Sequence, residues 1–112
     1  MGRRRGEIWY VDLTDSKGHE QRGRRPAIVL AVSHAGITTV VPLTSQSNAL
    51  SFPHTHEIQM CSENGLTSDS VALVFQIVSL AGERFINSPI GACSDEDMDA
   101  ICTILKDMLS IP

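Results

Sequence analysis

The sequence predicts a single small domain that is mainly β, with one helix at its carboxyl terminus. Three observations favour this class: several short segments rich in β-branched and aromatic residues, turn signals between them about every twelve residues, and one amphipathic segment at the end. This pattern alone predicts a strongly bent sheet or a partly open barrel. We expect residues 1–112 to form that one domain, with residues 1–5 as a flexible basic terminus.

Three strands are predicted in the amino-terminal half. The first covers residues 6–13, and the wholly apolar run 27–32 after Pro26 is typical of a strand buried on both faces. A tight turn then leads into a third strand over residues 37–44. Pro42 lacks an amide donor, so we expect a sheet edge or a bulge at that position.

The carboxyl-terminal half predicts shorter strands and then the helix. Residues 56–60 alternate in polarity, residues 70–80 predict two short strands with a bend, and parts of residues 85–92 add one more. Ser94 is a good N-cap for a helix with three acids in its first turn. An apolar stripe along this helix is expected to pack on the sheet or on a partner. The stripe consists of Met98, Ile101, Cys102, Leu105 and Leu109.

The cysteines and the hydropathy pattern indicate the compartment. Cys61, Cys93 and Cys102 are an odd number without Cys-x-x-Cys spacing, which argues against a disulfide framework or a zinc ribbon and predicts reduced, structural thiols. No stretch has the roughly 18–20 apolar residues that cross a bilayer. The basic residues 3–5 are not followed by the apolar segment of an export signal. The sequence therefore predicts a cytoplasmic protein.

Charge is divided unevenly along the chain. Residues 1–26 hold seven Lys/Arg and four Asp/Glu, whereas residues 27–112 hold two and nine, so the formal charge of −4 combines +3 with −7. Local patches, rather than the net charge, determine where an anion docks. The basic half therefore remains compatible with a nucleic-acid partner.

Residues 18–26 of the basic half form a polar stretch that runs directly into the apolar strand. The stretch combines acid, imidazole and guanidinium groups, which is the set that metal-free RNA cleavage requires. In that reaction a base takes the proton of the ribose 2′-hydroxyl, the leaving 5′-oxygen gains a proton, and the phosphorane needs positive charge. Glu20 and His19 are the candidate bases, and Arg25 offers a planar fork of donors to the phosphate.

Further polar residues are candidates for binding RNA. Arg22 and Arg24 would contact its backbone electrostatically. Thr44, at the end of the third strand, and Gln46 would hydrogen-bond to phosphate or base.

The sequence does not predict a metal site. His54 and His56 would place two imidazoles on one face of a strand, but no third ligand has convincing spacing. We therefore expect a reaction without a metal or other cofactor.

Four segments together carry a family resemblance. They are Gly6-Glu7-Ile8-Trp9, Lys17-Gly18-His19-Glu20-Gln21, Gly23-x-Arg25-Pro26-Ala27-Ile28-Val29-Leu30 and Val41-Pro42-Leu43-Thr44-Ser45-Gln46. In order and spacing these segments resemble the MazF/PemK toxins, the toxin halves of bacterial and archaeal toxin–antitoxin pairs. The resemblance is looser beyond residue 46, but the terminal helix fits the family's ending, so nearly the whole chain is covered.

The resemblance implies an SH3-like small β-barrel with a terminal helix, assembled as a homodimer. It implies a sequence-specific, ribosome-independent endoribonuclease that cleaves single-stranded RNA without a metal and leaves a 2′,3′-cyclic phosphate. It also implies a cognate antitoxin, similar to MazE, whose disordered acidic tail lies across the RNA groove.

The family's functional residues match positions of this chain one by one. Arg25 and Thr44 match its principal catalytic residues, and Glu20 matches an acidic residue of the same loop. His19 matches a histidine that some members use and others replace with serine. The expected RNA-binding residues are Arg22, Arg24, Ser45, Gln46, Phe75 and Gln76.

One departure from the family concerns the segment before Gln76. Many members have an acid directly before the matching glutamine, and some have an arginine two residues before that acid, but this chain has Phe75 and Leu73 there. If that acid is the base in relatives, its role passes to Glu20 or His19, or the rate or substrate preference differs. Phe75 either stacks on an unpaired base or simply fills the core.

Two alternatives to the ribonuclease remain at this stage. One is a toxin of the same fold that poisons DNA gyrase without enzymatic activity. Those relatives depend on a Trp-Gly-Ile terminus, and this chain ends Leu109-Ser110-Ile111-Pro112, which counts against this function. The other is a catalytically weakened RNA-binding member, because Phe75 replaces the usual acid.

Overall fold

Seven strands and one α-helix form the part of the chain that the computed structural model describes, residues 2–14 and 23–112. The strands are β1 (Glu7–Asp12), β2 (Arg24–Val32), β3 (Thr38–Thr44), β4 (Thr55–Ile58), β5 (Ser70–Leu73), β6 (Val78–Leu80) and β7 (Phe85–Ala92), and the helix is α1 (Asp95–Met108). The predicted class, mainly β with a carboxyl-terminal helix, is confirmed.

The strands make one antiparallel sheet. Its order is β4-β5-β3-β2-β1-β7, and β6 pairs with β3 next to β5. Shifts of register in the β1–β7 and β2–β3 ladders bend the strands. Because β4 and β7 lie at opposite ends of the order, the sheet is barrel-like but not closed.

Strand β2 begins earlier than its sequence predicts. Arg24 and Arg25 already pair with Asp12 and Val11 of β1, two residues before Pro26. The backbone of Arg25 therefore belongs to the sheet rather than to the preceding loop. This matters for function, because a group on a strand is positioned more rigidly than a group on a loop.

Pro42 lies inside the sheet, so the expectation of an edge at this position is wrong. It is opposite Ala27 of β2, in a stretch of the ladder without a register shift. On its other side, β3 pairs with β6 before Pro42 and with β5 after it. The turn Val74–Gln76 separates those two strands, so the missing donor of Pro42 falls where the neighbouring strand is interrupted.

Apolar residues cover both faces of the sheet, and β2 is buried on both, as predicted. On the side that we call the helix face, Ile28 and Leu30 pack with residues of α1. On the opposite face, Ala27 and Val29 pack with Trp9 and its neighbours. Full burial of such aliphatic side chains contributes about 1.5–3 kcal/mol each.

Helix α1 begins at the predicted cap. Ser94 Oγ accepts a hydrogen bond from the backbone N–H of Asp97 at 3.1 Å, and Met98 and Ile101 are buried against the helix face. Leu109, the last residue of the predicted stripe, is the C-cap after α1 and does not pack on the sheet, since it is 55% exposed. No helix in the described ranges has the length and hydropathy needed to cross a membrane.

Two arginines of the amino-terminal segment contact the sheet. Arg3 Nε donates to Thr38 Oγ1 at 3.0 Å, and its guanidinium carbon lies 4.4 Å from the ring centroid of Phe85. Arg5 Nη1 donates to the Leu30 carbonyl at 3.0 Å. The segment expected to be a flexible basic terminus therefore has side chains anchored on the sheet.

Candidate active site

The ends of β2 and β3 bring Arg25 and Thr44 together. The last pair of the β2–β3 ladder is Ala27 with Pro42. The same antiparallel register, continued by two residues along both strands, sets Arg25 opposite Thr44. Residues two apart in a strand point to the same face, so both side chains leave the sheet on the face opposite α1. Directly opposed residues have Cβ atoms about 4.5–5.5 Å apart, which lets a guanidinium and a hydroxyl contact one phosphate.

Thr44 is a buried polar residue, only 4% exposed. Its Oγ1 accepts a hydrogen bond from the backbone N–H of Gln46 at 3.3 Å. Because the oxygen is the acceptor in that bond, the hydroxyl hydrogen can donate to a phosphate oxygen. Ser45 and Gln46 follow at the exposed end of the strand.

A groove of about 540 Å³ begins at Thr44, and we call it the aromatic groove. Its other lining residues are Gln46, Asn48, Ala49, Phe52, Pro53, His54, Leu73, Phe75 and Gln76. Among these described lining residues there is no lysine, arginine, aspartate or glutamate. The groove is therefore amphipathic and neutral, apart from one imidazole.

Phe75 is exposed at this groove. It lies in the turn after β5 and is 40% exposed, and its ring centroid is 6.2 Å from that of Phe52. A residue that fills the core would be buried, so the core-filling alternative for Phe75 is wrong. Gln76, the next residue, is partly buried and lines the same groove. The RNA-binding role of both residues stays a prediction.

Arg24 lies on the other face of the sheet from Arg25, because successive strand residues alternate. It is exposed and opposite Asp12 in the register. The pKa of Asp12 is lowered, chiefly because Thr14 donates hydrogen bonds to the carboxylate, with a smaller contribution from the guanidinium groups of Arg24 and Arg84. The two arginines therefore leave the strand on different faces, although both line the small cavity described next. The contact of Arg24 with an RNA backbone stays a prediction.

Tyr10 joins the two arginines in a small cavity of about 160 Å³. Arg24, Arg25 and Ser45 line it together with hydroxyl-bearing residues of the segment 67–70. Cations and hydroxyl groups in one cavity suit an anionic ligand. The cavity adjoins the ends of β2 and β3.

His19, Glu20 and Arg22 lie outside the described residues. The residues on either side of the segment 15–22 are described, and the backbone N–H of Leu13 donates to the carbonyl of Gly23 at 2.8 Å. That bond sets Leu13 beside Gly23, next to the start of β2. The candidate bases Glu20 and His19 precede Arg24 by four and five residues in the sequence, and their roles stay predictions.

His54 and His56 contact acids of α1 rather than a common ligand. His54 Nε2 lies 3.3 Å from Asp107 Oδ2, and His56 Nε2 lies 2.8 Å from Asp97 Oδ1. These acids are at opposite ends of α1, so the imidazoles connect β4 to the helix. In the part of the chain that the structure describes, no group of three or more His, Cys, Asp or Glu side chains is placed to bind a metal ion.

A second depression, of about 740 Å³, lies between β4 and the first turn of α1. We call it the acidic groove, because its described lining includes Glu57, Glu63, Asp95 and Asp97 and neither lysine nor arginine. Cys61 and Cys93 also line it, and both are free thiols. Burial, and secondarily the nearby Asp97, raise the pKa of Cys93 to about 12.

Sequence reasoning missed Tyr10, Asn48 and Phe52. Tyr10 was accessible to it, because strict alternation around the buried Trp9 and Val11 predicts that the residue between them faces the other side. Asn48 lies in the 3-10 turn Ser47–Ser51, and Phe52 directly follows it. No periodicity marks residues in such a connection, so these two had no sequence signal.

Comparison with known proteins identifies what this chain is similar to. A family model described as PemK-like, MazF-like toxin of type II toxin–antitoxin system matches residues 4–109. The endoribonuclease MazF9 of Mycobacterium tuberculosis is 37% identical over 112 aligned residues, with 92% of each chain covered.

Solved structures of low sequence identity share the fold. MazF from Deinococcus radiodurans matches with a TM-score of 0.80 at 23% identity, over 99% of both chains. An endoribonuclease in complex with its cognate antitoxin, from a mycobacterial species, matches with a TM-score of 0.72 at 21% identity, over 99% of this chain and 98% of that one.

Proposed function

This chain belongs to the PemK-like, MazF-like toxins of type II toxin–antitoxin systems, and we propose that it is an endoribonuclease that cleaves single-stranded RNA. Relatives that cover most of its length are named endoribonucleases. The reaction is attack of a ribose 2′-hydroxyl on the adjacent phosphorus, which leaves a 2′,3′-cyclic phosphate. It requires neither a metal ion nor another cofactor.

The observation that carries this proposal is the β2–β3 ladder, whose register, continued two residues beyond the Ala27–Pro42 pair, sets Arg25 opposite Thr44. Arg25 donates to the non-bridging oxygens of the phosphate, where negative charge grows in the transition state. Thr44 adds a hydroxyl donor from a buried position. Since both groups start from paired strands, they need little reorganisation when RNA binds.

The remaining part of the reaction is proton transfer. Glu20 or His19, in the segment between β1 and β2, takes the proton of the 2′-hydroxyl. The family's usual acid before Gln76 is not available for this, because Phe75 stands there.

RNA binding uses groups around this centre. Gln46, Phe75 and Gln76 contact bases along the aromatic groove, and Ser45 contacts the phosphate next to Arg25. The cationic side chains of Arg22 and Arg24 attract the phosphate backbone electrostatically.

As a family toxin, the protein is expected to work with protein partners. We propose that a cognate MazE-like antitoxin inhibits it by placing an acidic segment over the RNA site, and that two copies of the chain assemble as a homodimer. We also propose that it acts in the cytoplasm, where its RNA substrate and its antitoxin would be present.

Cleavage of a long natural RNA by the purified protein, in buffer with EDTA, tests the proposal. We expect discrete fragments whose 3′ ends carry a 2′,3′-cyclic phosphate, identified by end mapping and mass spectrometry. An oligonucleotide with a single 2′-deoxyribose at the mapped site should resist cleavage, because the nucleophile is removed. Absence of cleavage, or cleavage that continues in the deoxy-substituted oligonucleotide, would contradict the mechanism.

A further inference from the structure

We propose that Phe52 and Phe75 form a subsite for one unpaired base of the RNA, the base that flanks the cleaved phosphodiester. This subsite presupposes the ribonuclease function proposed above and gives it a specificity determinant. Phe52 is the new residue in it, and it lies in a connection that carries no family motif quoted above.

The two rings make a right-angled corner. Their centroids are 6.2 Å apart and their planes meet at 87°. Phe52 is 54% exposed and Phe75 is 40% exposed, so each ring offers surface to a ligand. A flat base that stacks on one ring presents its plane to the edge of the other, and both stacked and edge-to-face contacts between aromatic groups are favourable.

Backbone hydrogen bonds fix this corner. The N–H of Phe52 donates to the Ala49 carbonyl at 3.0 Å, and Thr55 Oγ1 donates to the Phe52 carbonyl at 2.9 Å. The N–H of Phe75 donates to the His54 carbonyl at 3.3 Å. The turns that carry the two rings are thus tied to the start of β4, and a ligand loses little binding energy in ordering them.

The lining of the aromatic groove suits a base and not a phosphate. Its floor includes Ala49 and Leu73, which are buried, and the described lining has no lysine or arginine for an anion. The side-chain amides of Gln46, Asn48 and Gln76 supply donors and acceptors at the rim. Unpaired bases are recognised in this way, by stacking on aromatic rings and by hydrogen bonds to their edges.

The position of the corner identifies which base it takes. Thr44 lines the aromatic groove, and the β2–β3 register, continued two residues beyond the Ala27–Pro42 pair, sets it opposite Arg25. A phosphate bound between Arg25 and Thr44 therefore has one of its two nucleosides at the mouth of the groove. That nucleoside flanks the bond that is cleaved.

Kinetics on short RNA that contains the mapped cleavage sequence test the subsite. We compare the base-containing RNA with RNA that is abasic at either flanking nucleotide, using wild type, Phe52→Ala and Phe75→Ala. Stacking is worth about 1–3 kcal/mol per base, so kcat/KM should fall about 5- to 150-fold in each variant and also with one of the abasic substrates. In Phe52→Ala that abasic substrate should cause little further loss, since the stack is already gone.

Leu50→Ala is the matched control. Leu50 is 41% exposed in the same turn but does not line the groove, so its kcat/KM should stay near wild type. Thermal denaturation of each variant checks that the fold is intact. Phe52→Leu keeps apolar volume but loses the aromatic ring, so its kcat/KM should fall as in Phe52→Ala. Phe52→Trp keeps an aromatic ring, so its kcat/KM should not fall in this way.

A binding experiment gives a readout independent of cleavage. RNA with a 2′-deoxyribose at the cleavage site and 2-aminopurine at the flanking position should lose fluorescence on binding wild type, and much less on binding Phe52→Ala. Two results would overturn the subsite: cleavage by wild type at the same rate with the base-containing RNA and both abasic RNAs, or an equal loss of 2-aminopurine fluorescence with wild type and Phe52→Ala. Either result is expected if the corner instead binds a peptide side chain of the antitoxin. Failure of the proposed function is distinct, because wild type would then cleave no RNA.

Discussion

Strand β4 separates two depressions of different chemistry. His54 directly precedes β4 and lines the aromatic groove, whereas His56, within β4, lines the acidic groove. The aromatic groove is neutral and begins at Thr44, opposite Arg25, whereas the described lining of the acidic groove has four carboxylates and no cation to offset them. We therefore expect Arg25, beside the aromatic groove, to attract an RNA backbone and the carboxylates of the acidic groove to repel it.

The difference explains how an acidic protein of this family can bind RNA. The net charge of −7 over residues 27–112 is partly gathered in the acidic groove and the first turn of α1. Screening at physiological salt limits each charge to about 8 Å, so those acids act weakly on a phosphate at the strand ends. Segregation of charge, not its total, is therefore the relevant property.

Removal of the cation at the strand end should have the largest effect. In Arg25→Ala the developing charge on the phosphorane loses its fork of donors, and kcat/KM should fall about 100- to 1,000-fold. Arg25→Lys should recover only part of the activity, because an ammonium keeps the charge but not the planar fork. Initial rates on the mapped oligonucleotide measure both variants.

Two matched variants sharpen this prediction. Arg4→Ala removes the same charge from an exposed residue of the amino-terminal segment, and Glu57→Gln removes one from the acidic groove. Both should change kcat/KM by less than about fivefold, because exposed charges away from the bound RNA are screened. Equal losses in Arg4→Ala and Arg25→Ala would mean that only the overall charge matters, and the comparison between the two regions would fail.

The backbone that packs beside the acidic groove should respond to mutation through folding rather than through catalysis. Gly91 of β7 passes so close to the loop after β4 that an added Cβ would lie 2.5 Å from the Glu63 carbonyl oxygen and even nearer to the backbone carbon of Asn64. The backbone of Glu63 and Asn64 cannot move away from a new Cβ as easily as the end of a flexible side chain could. We expect Gly91→Ala to lower the free energy of unfolding by about 3 kcal/mol, measured by urea denaturation.

Gly2→Ala is the control, since a Cβ there would meet nothing within 4 Å. The kcat/KM of Gly91→Ala on RNA should match that of wild type at a temperature where this variant is still folded. A loss of activity without a loss of stability would show that the acidic groove takes part in the reaction.

The sequence predicted the strand ends better than it predicted the groove. Pro26 and the apolar run after it identify β2, and the third strand ends at Thr44 as expected, so the backbone under Arg25 and Thr44 was accessible to pattern reasoning. The extension of β2 to Arg24 was not predicted, because it depends on pairing with β1 and not on a pattern within the residues before Pro26.

The position of Phe52 was not predictable in the same way. The residue follows a 3-10 turn and contacts Phe75 across 23 positions of sequence, through the pairing of β4 with β5. Short turns carry no hydrophobic period, and a contact between two of them depends on the whole arrangement of the strands. The same holds for His54 and His56, whose acids lie far along the chain in α1.

The two cysteines of the acidic groove provide the smallest but most local prediction. Cys61 is exposed, whereas burial and Asp97 raise the pKa of Cys93 to about 12. At pH 8 only about one Cys93 thiol in ten thousand is then ionised, and the thiolate is the reactive form. Iodoacetamide should therefore label Cys61 first. As the pH is raised toward the pKa of Cys93, the labelling rate of Cys93 should increase about tenfold per pH unit. Peptide mass spectrometry measures the labelling of each cysteine.

Asp97→Asn should speed the labelling of Cys93 a few-fold at constant pH, because the carboxylate that disfavours the Cys93 thiolate is removed. Asp107→Asn removes an equal charge from the far end of α1 and should leave that rate unchanged. If Cys93 reacts as fast as Cys61 at pH 8, the Cys93 thiol is more accessible than its burial indicates and the prediction is wrong. If labelling of Cys61 leaves RNA cleavage intact, the two sides of β4 are functionally separate, because a neutral adduct then fills one groove without disturbing the strand ends beside the other.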